Sequence, residues 1–131
     1  AKYPPEGRRS RGGGQHGALW GQDYRETAND NILLIVMIES PDGIEIADQI
    51  AAVPGIDVVF AASGDIGSFT GYAQDDPQYQ VLIDKIRNDT LDAGKKLGGP
   101  FGWRDREGFS FFQASGEAGL IRAGAGALLQ R

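Results

Sequence analysis

The stretch ILLIVMIES, residues 32–40, decides the fold. Apolar residues run without a break from Ile32 to Ile38, and a carboxylate, Glu39, follows them. A continuous run of this length, rich in Ile and Val, is typical of a strand covered on both faces in a parallel sheet. We therefore predict a strand from Ile32 to Glu39, with an ionisable group at its carboxyl end.

Helix signals follow this strand. Ser40-Pro41-Asp42 combines an N-cap residue, a proline suited to the first helical position and an acid near the positive helix end. Pro54-Gly55 ends the predicted helix. The further predicted elements are strands over 56–61, 96–101 and 109–114 and helices that start at 75–77 and at 115. Alternation of this kind predicts βαβ crossovers and an α/β fold with a parallel sheet.

The first 31 residues have a different character. They hold Pro4, Pro5 and the run Gly12-Gly13-Gly14, and few of their apolar residues recur at a regular spacing. Such a composition is typical of an irregular arm or a long loop. The predicted organisation is an irregular arm over residues 1–31 and one α/β domain over residues 32–131.

The composition excludes several classes of protein. The 131 residues, 40% hydrophobic and 24% charged, suit one soluble domain, and a net charge of −5 argues against nucleic-acid or anionic-membrane partners. Without cysteine the chain has no disulfide, thiolate metal site or Cys nucleophile. No apolar run approaches the roughly 18 residues of a membrane span, and we expect no signal peptide. We expect a cytoplasmic protein with small-molecule partners.

Two carboxylates are the candidate site. Glu39 ends the first strand, and Asp65 lies just beyond the second, in AASGDIG. Because parallel strands end at one edge of a sheet, about 4.8 Å apart, the two side chains are expected to converge there and to bind Mg²⁺ or Mn²⁺. The N–H groups of the loop Ser63-Gly64-Asp65 could receive a substrate carboxylate. Alternatively, Glu39 is a solvated strand-end residue and Asp65 caps a turn or a short helix.

Four segments carry a family resemblance: YPPEGRRSRGGGQ, ANDNILLIVMIES, IAAVPGIDVVFAASGDIG and FSFFQASGEAGLIRAGAGALL. Together they resemble the HpcH/HpaI aldolase family, which includes 4-hydroxy-2-oxoheptanedioate and 2-dehydro-3-deoxyglucarate aldolases and has macrophomate synthase as a relative. The similarity spans nearly the whole chain, and residues 53–65 are its most specific part. It implies a parallel (β/α)₈ barrel of TIM type, of which this chain supplies about the second half, strands five to eight.

The resemblance also implies a chemistry. It indicates a metal-dependent aldolase, a carbon–carbon lyase that joins a 2-oxo acid such as pyruvate or oxaloacetate to an aldehyde through a pyruvate enolate. Carried over by position, Glu39 and Asp65 are the metal ligands, for Mg²⁺ or alternatively Mn²⁺ or Co²⁺. The N–H groups of Gly64 and Asp65 hold the pyruvate carboxylate. The cation stabilises the enolate charge, so a Schiff-base lysine is not required.

Some catalytic parts are expected elsewhere. The resemblance places the family's Arg, His and Asp in an N-terminal half that this chain does not contain, and it implies a last helix exchanged between subunits of a homo-oligomer. A half-barrel leaves two open sheet edges, so we expect a complementary N-terminal half or assembly with a second copy. His16, the sole histidine, is interpreted as a loop residue. The arginines of the arm that could contact a substrate carboxylate are Arg8, Arg9 and Arg11.

Departures from the family pattern leave other functions open. Met37 stands where family members commonly have Gln, and Ser63 stands where they often have Pro. A thioether accepts only weak hydrogen bonds, which favours a catalytically incomplete subunit or fragment that binds metal and oxo acid. A third interpretation is a barrel enzyme for a phosphorylated substrate, with Gly98-Gly99 and Ser115-Gly116 as turns that bind the phosphate.

Overall fold

The computed structural model describes residues 1–10, 15–21 and 23–129, with the side chains of residues 15–17 left aside. The chain forms two compact units, residues 1–34 and residues 35–131. The smaller unit contains two short helices, and the larger unit contains a sheet with helices between its strands.

The helices of the smaller unit are α1 (Gln15–Trp20) and α2 (Tyr24–Asn31). The prediction of an irregular arm over residues 1–31 is therefore wrong for these two segments. Helix α2 gave no signal in the sequence because it is mostly polar and Ala28 is its one buried residue. Its Asn29 binds the buried Tyr3 through both backbone groups, accepting from the Tyr3 N–H at 2.7 Å and donating to the Tyr3 carbonyl at 3.0 Å.

The larger unit is built on a four-stranded sheet in which every neighbouring pair is parallel. The strands follow each other in chain order, which confirms the prediction of an α/β fold with a parallel sheet. The first strand is shorter than predicted, because residues 32–34 precede it. The strands are β1 (Ile35–Ile38), β2 (Val58–Ala61), β3 (Lys96–Pro100) and β4 (Phe109–Gln113).

Helices follow the strands, and two begin with side-chain caps, of which Ser40 is the predicted one. Ser40 accepts a hydrogen bond from the Gly43 N–H at 3.3 Å, and Asp76 accepts one from the Gln78 N–H at 2.7 Å. The first predicted helix is in fact two, because the chain leaves helical geometry at Ile46. The helices are α3 (Pro41–Glu45), α4 (Ala47–Ala51), α5 (Ser63–Thr70), α6 (Pro77–Asp92) and α7 (Glu117–Leu129), with a 3₁₀ turn at Phe101–Trp103.

Helix α7 is the predicted closing helix, and none of its described residues is buried. Ile121 is 71% exposed and Leu128 is 67% exposed, so the described residues of the chain leave its apolar stripe uncovered. Among the residues that the structure describes, no helix is both long and apolar enough to span a membrane.

The two faces of the sheet differ in burial. Ile38 is 1% exposed, whereas Met37, which precedes it, is 52% exposed. Successive side chains of a strand point to opposite faces, and helix α6 packs against β2 and β3 on one face only. The prediction that the first strand is buried on both faces is therefore wrong. The other face is an open pocket of about 250 Å³ lined by Ile35, Met37, Phe60, Phe111, Phe112 and Gln113.

Two glycines of β3 make room for aromatic rings. A Cβ atom on Gly98 would lie 2.8 Å from Cδ2 of Phe60, and one on Gly99 would lie 2.9 Å from Cε3 of Trp103. Both glycines are buried inside the strand rather than in a turn beyond it. The interpretation of Gly98-Gly99 as a phosphate-binding turn is therefore wrong, because side chains occupy the space that a phosphate would need.

Candidate functional site

Strands β1 and β2 end level with each other. Ile38 is the last residue of β1 and pairs with Ala61, the last residue of β2. The Ala62 N–H then donates to the Ile38 carbonyl at 3.1 Å. Glu39 follows directly on β1, and Ser63 opens α5 after β2. The candidate residues of both strand ends thus leave the sheet at the same edge.

The first turn of α5 presents backbone donors. The first N–H groups of any helix lack intrahelical acceptors, and Ala62, at the N-cap position of α5, forms no side-chain cap. These groups belong to Ser63, Gly64 and Asp65 and lie at the positive end of the helix dipole. A Cβ atom on Gly64 would meet no described atom within 4 Å. The turn can therefore be approached closely by an anion.

Glu39 and Asp65 are both exposed. Among the described residues neither side-chain carboxylate makes an ion pair or a hydrogen bond, whereas other carboxylates of the larger unit, such as Asp89, are paired with basic side chains. A cation would therefore displace no basic partner. That both carboxylates bind one ion stays a prediction.

The donor set of this edge suits a hard cation. In the described part of the chain, no group of three or more His, Cys, Asp or Glu side chains could hold a metal ion. Two carboxylates alone do not complete a coordination shell. They fit Mg²⁺, which prefers oxygen ligands and keeps several positions for water and substrate.

A buried tyrosine of α6 forms a hydrogen bond to the first residue of α5. Tyr79 of α6 is fully buried, and its hydroxyl donates to the Ser63 carbonyl at 2.9 Å. Burial raises the pKa of this phenol, so Tyr79 keeps its proton and remains a donor. Sequence reasoning missed this contact, because residues 63 and 79 come together only in the folded chain.

Apolar side chains line the sheet next to the strand end that carries Glu39. Residues two apart along an extended chain point to the same side, so we expect Glu39 to follow Met37 on the face that carries the open pocket. In the pairing register, Met37 lies beside Phe60, and Phe60 lies beside Gly98. The phenyl ring of Phe111 also borders this pocket. The candidate site thus combines a polar rim with an apolar floor.

Residues 1–109 match the model of the HpcH/HpaI aldolase/citrate lyase family. The chain belongs to this family. The family prediction made from the sequence is therefore confirmed, and the match includes both candidate carboxylates and the whole of α5.

Named relatives are aldolases. The hydroxypyruvate/pyruvate aldolase of Chromohalobacter salexigens is 39% identical over 102 residues, which are 74% of this chain and 40% of that protein. The 5-keto-4-deoxy-D-glucarate aldolase of Shigella boydii serotype 18 is 34% identical over 101 residues, which are 74% of this chain and 39% of that protein. The chain described here thus spans about 40% of the length of the first of these curated relatives.

A solved structure shares the fold. The HpcH/HpaI aldolase/citrate lyase family protein from Burkholderia cenocepacia J2315 matches with a TM-score of 0.76 at 26% identity. The match covers 98% of this chain and 56% of that protein. Our chain therefore has the fold of part of a longer family member.

Other residues predicted to take part are placed as follows. Arg11 and the side chain of His16 lie outside the described part of this chain. The backbone of His16 is in helix α1, so the prediction that His16 is a loop residue is wrong. The Arg9 guanidinium lies 4.7 Å from the ring centroid of Tyr3, in its own unit. Arg8 is exposed. Contact of these arginines with a substrate carboxylate stays a prediction.

Proposed function

We propose that this chain is about the second half of a (β/α)₈ barrel and that it serves a metal-dependent carbon–carbon lyase acting on 2-oxo acids. The observation that carries the proposal is the shared edge of the sheet at which Glu39 and the first turn of α5 emerge. Parallel strands in chain order are the arrangement of such barrels, whose active sites lie at the carboxyl ends of the strands. The aldolase names of the relatives support the reaction class.

Glu39 and Asp65 are the proposed ligands of the divalent cation, with Mg²⁺ first and Mn²⁺ or Co²⁺ as alternatives. Both are exposed, and both carry hard oxygen donors. When bound, the cation supplies Lewis-acid stabilisation of the negative charge that develops on the oxygen of an enolate.

The residues of this chain have separate roles in the proposal. The N–H groups of Gly64 and Asp65 bind the carboxylate of pyruvate or oxaloacetate, because helix N-termini favour anions. The apolar floor of Met37 and Phe60 keeps water from the reacting carbon atoms. The Arg, His and Asp that move protons and polarise the keto group come from an N-terminal half, and the second substrate is an aldehyde.

The assembly follows from exposed surfaces. Strands β1 and β4 are the edges of the sheet, and unpaired edges invite further strands. A complementary N-terminal half would pair with them, and a second copy of this chain is the alternative. The exposed stripe of α7, which includes Ile121 and Leu128, is proposed to pack on a partner subunit of a homo-oligomer.

A second candidate is a catalytically incomplete subunit that binds metal and oxo acid without turning it over. The observation that favours it is Met37, two residues before Glu39, which offers only a weakly accepting sulfur atom. Such a site could hold the cation and the carboxylate, yet it would not hold a water molecule firmly for proton transfer.

Proton exchange of pyruvate tests the two candidates. The chain, assembled with the N-terminal half that the proposal requires, is mixed with Mg²⁺ and pyruvate in deuterated water, and the loss of the methyl proton signal is followed by NMR. We expect exchange that stops when the metal is removed with a chelator. Binding of pyruvate without exchange supports the incomplete subunit, and the lack of both binding and exchange contradicts both candidates.

A further inference from the structure

The hydroxyl of Tyr79 contacts the backbone at a peptide group that matters for the proposed function. The Ser63 carbonyl, which accepts the hydrogen bond at 2.9 Å, and the Gly64 N–H belong to the same planar peptide unit. In a trans peptide the carbonyl and the N–H point in opposite directions. Whatever fixes the direction of the Ser63 carbonyl therefore also fixes the direction of the Gly64 N–H.

The carbonyl of this peptide group also accepts a bond within α5, which begins at Ser63, whereas its N–H group has no partner within the helix. No described side chain caps α5, and the first peptide of a helix lacks the intrahelical bond of its N–H group. Glycine at position 64 adds backbone freedom that another residue would not have. We expect the Tyr79 hydroxyl to reduce fraying of this first turn.

Tyr79 itself is held firmly. It lies on the buried face of α6 together with Ile83 and Ile86. Its ring meets Trp103 edge to face, with ring centroids 6.5 Å apart. The Arg106 guanidinium lies 4.4 Å from the ring centroid of Trp103. The donor therefore sits on a rigid element, which suits a residue that has to position another group.

Arg106 is tied back to the same helix. Its Nη2 donates to Oε1 of Gln80, the neighbour of Tyr79, at 2.8 Å. Trp103 also packs edge to face on Phe109 of β4, at 5.4 Å between centroids. This cluster connects α6, the 3₁₀ turn and β4 behind the anchor of α5.

We propose that Tyr79 is a positioning residue: by holding the Ser63 carbonyl, it aims the Gly64 N–H at the carboxylate of the bound 2-oxo acid. The proposal rests on the proposed function for the identity of the ligand. Tyr79 contacts the turn from helix α6 and acts through the peptide group. It therefore sets substrate affinity rather than the rate of the chemical step.

The test is Tyr79→Phe, which removes the hydroxyl and keeps the ring against Trp103. Loss of one hydrogen bond that orders the turn is expected to raise KM for pyruvate in the proton-exchange assay about fivefold to tenfold. The kcat of exchange should change less than about twofold. Hydrogen exchange of the Ile66 amide, which donates to the Ala62 carbonyl in the first turn of α5, should become faster, while that of Ile86 in α6 should not change. The matched control is Tyr72→Phe, since Tyr72 follows α5 and its ring is partly exposed.

Two results would overturn the proposal. One is unchanged exchange of the Ile66 amide in Tyr79→Phe. The other is faster exchange throughout α6, which would mean that the hydroxyl serves general packing. If the unaltered chain, assembled with its N-terminal half, neither binds nor turns over pyruvate, the proposed function fails, but faster exchange confined to the first turn of α5 would still support Tyr79 as the anchor of this turn.

Discussion

The Ala62 N–H donates to the Ile38 carbonyl at 3.1 Å, one step beyond the last paired residues of β1 and β2. This bond extends the ladder to the point where the chain turns from β2 into α5. Glu39 is the residue that follows Ile38, and Asp65 lies in the first turn of α5. The relationship brings the two ends of the proposed metal site to one edge.

Removal of either carboxylate charge should weaken metal binding. We expect Glu39→Gln and Asp65→Asn each to lower the affinity for Mg²⁺ by more than about tenfold, since loss of a residue that only supports a ligand already costs about that much. Isothermal titration calorimetry measures the affinity. Asp48→Asn is the control, because Asp48 is an exposed carboxylate of α4. Equal affinities for all three variants would contradict the assignment of these ligands.

A buried hydroxyl offers a test of stability. Thr90 of α6 is fully buried, and its Oγ1 has no described hydrogen-bond partner. An unsatisfied buried polar group costs about 1–3 kcal/mol. Thr90→Val should therefore raise the free energy of unfolding by about 1 kcal/mol, as measured by urea denaturation.

The control for this variant is Thr70→Val. Oγ1 of Thr70 donates to the Ile66 carbonyl at 2.6 Å and accepts from the Tyr72 N–H at 3.4 Å. The same substitution there removes hydrogen bonds and should lower stability or leave it unchanged. A loss of stability in Thr90→Val would mean that its hydroxyl is satisfied in solution.

The close contact between Gly98 of β3 and the neighbouring rings predicts a substitution that lowers stability, in contrast to Thr90→Val. A Cβ atom at position 98 would lie 2.8 Å from the Phe60 ring and 3.1 Å from the Phe111 ring. Gly98→Ala should lower the free energy of unfolding by about 1–3 kcal/mol, the usual cost of overpacking a core. Gly124→Ala in α7 is the control, because its Cβ meets no described atom within 4 Å, and it should stabilise the helix by up to about 1 kcal/mol. Similar effects of the two variants would show that the rings at β3 move aside freely.

Local signals in the sequence predicted the parts of the fold that local physics determines. The N-cap at Ser40 and the Asp76-Pro77 start of α6 were predicted correctly, because the cap bond joins residues two or three apart. Helix α5 was not predicted as a helix, since Gly64 and Gly67 dilute its helix propensity. Its stability comes instead from packing, for Ile66 is fully buried.

Long-range features were harder to predict. An apolar run such as that of β1 indicates a strand but does not say whether one or both faces are covered, and so the exposure of Met37 was missed. The bond from Tyr79 to the Ser63 carbonyl links residues 16 positions apart, and no periodicity announces it. The candidate carboxylates could be selected from the sequence because they follow strands, whereas their supports could not.

The exposed stripe of α7 gives the last prediction. Ile121→Asp places a charge at a position where we propose contact with a partner subunit. Burial of such a side chain contributes about 1.5–3 kcal/mol, so the dissociation constant of the assembly should rise at least tenfold. Sedimentation velocity measures the change. The control is Val81→Asp on α6, since Val81 is an apolar residue of similar exposure, 66% against 71% for Ile121. If both variants weaken assembly alike, a general effect of charge is responsible, and if neither does, α7 does not lie in the interface.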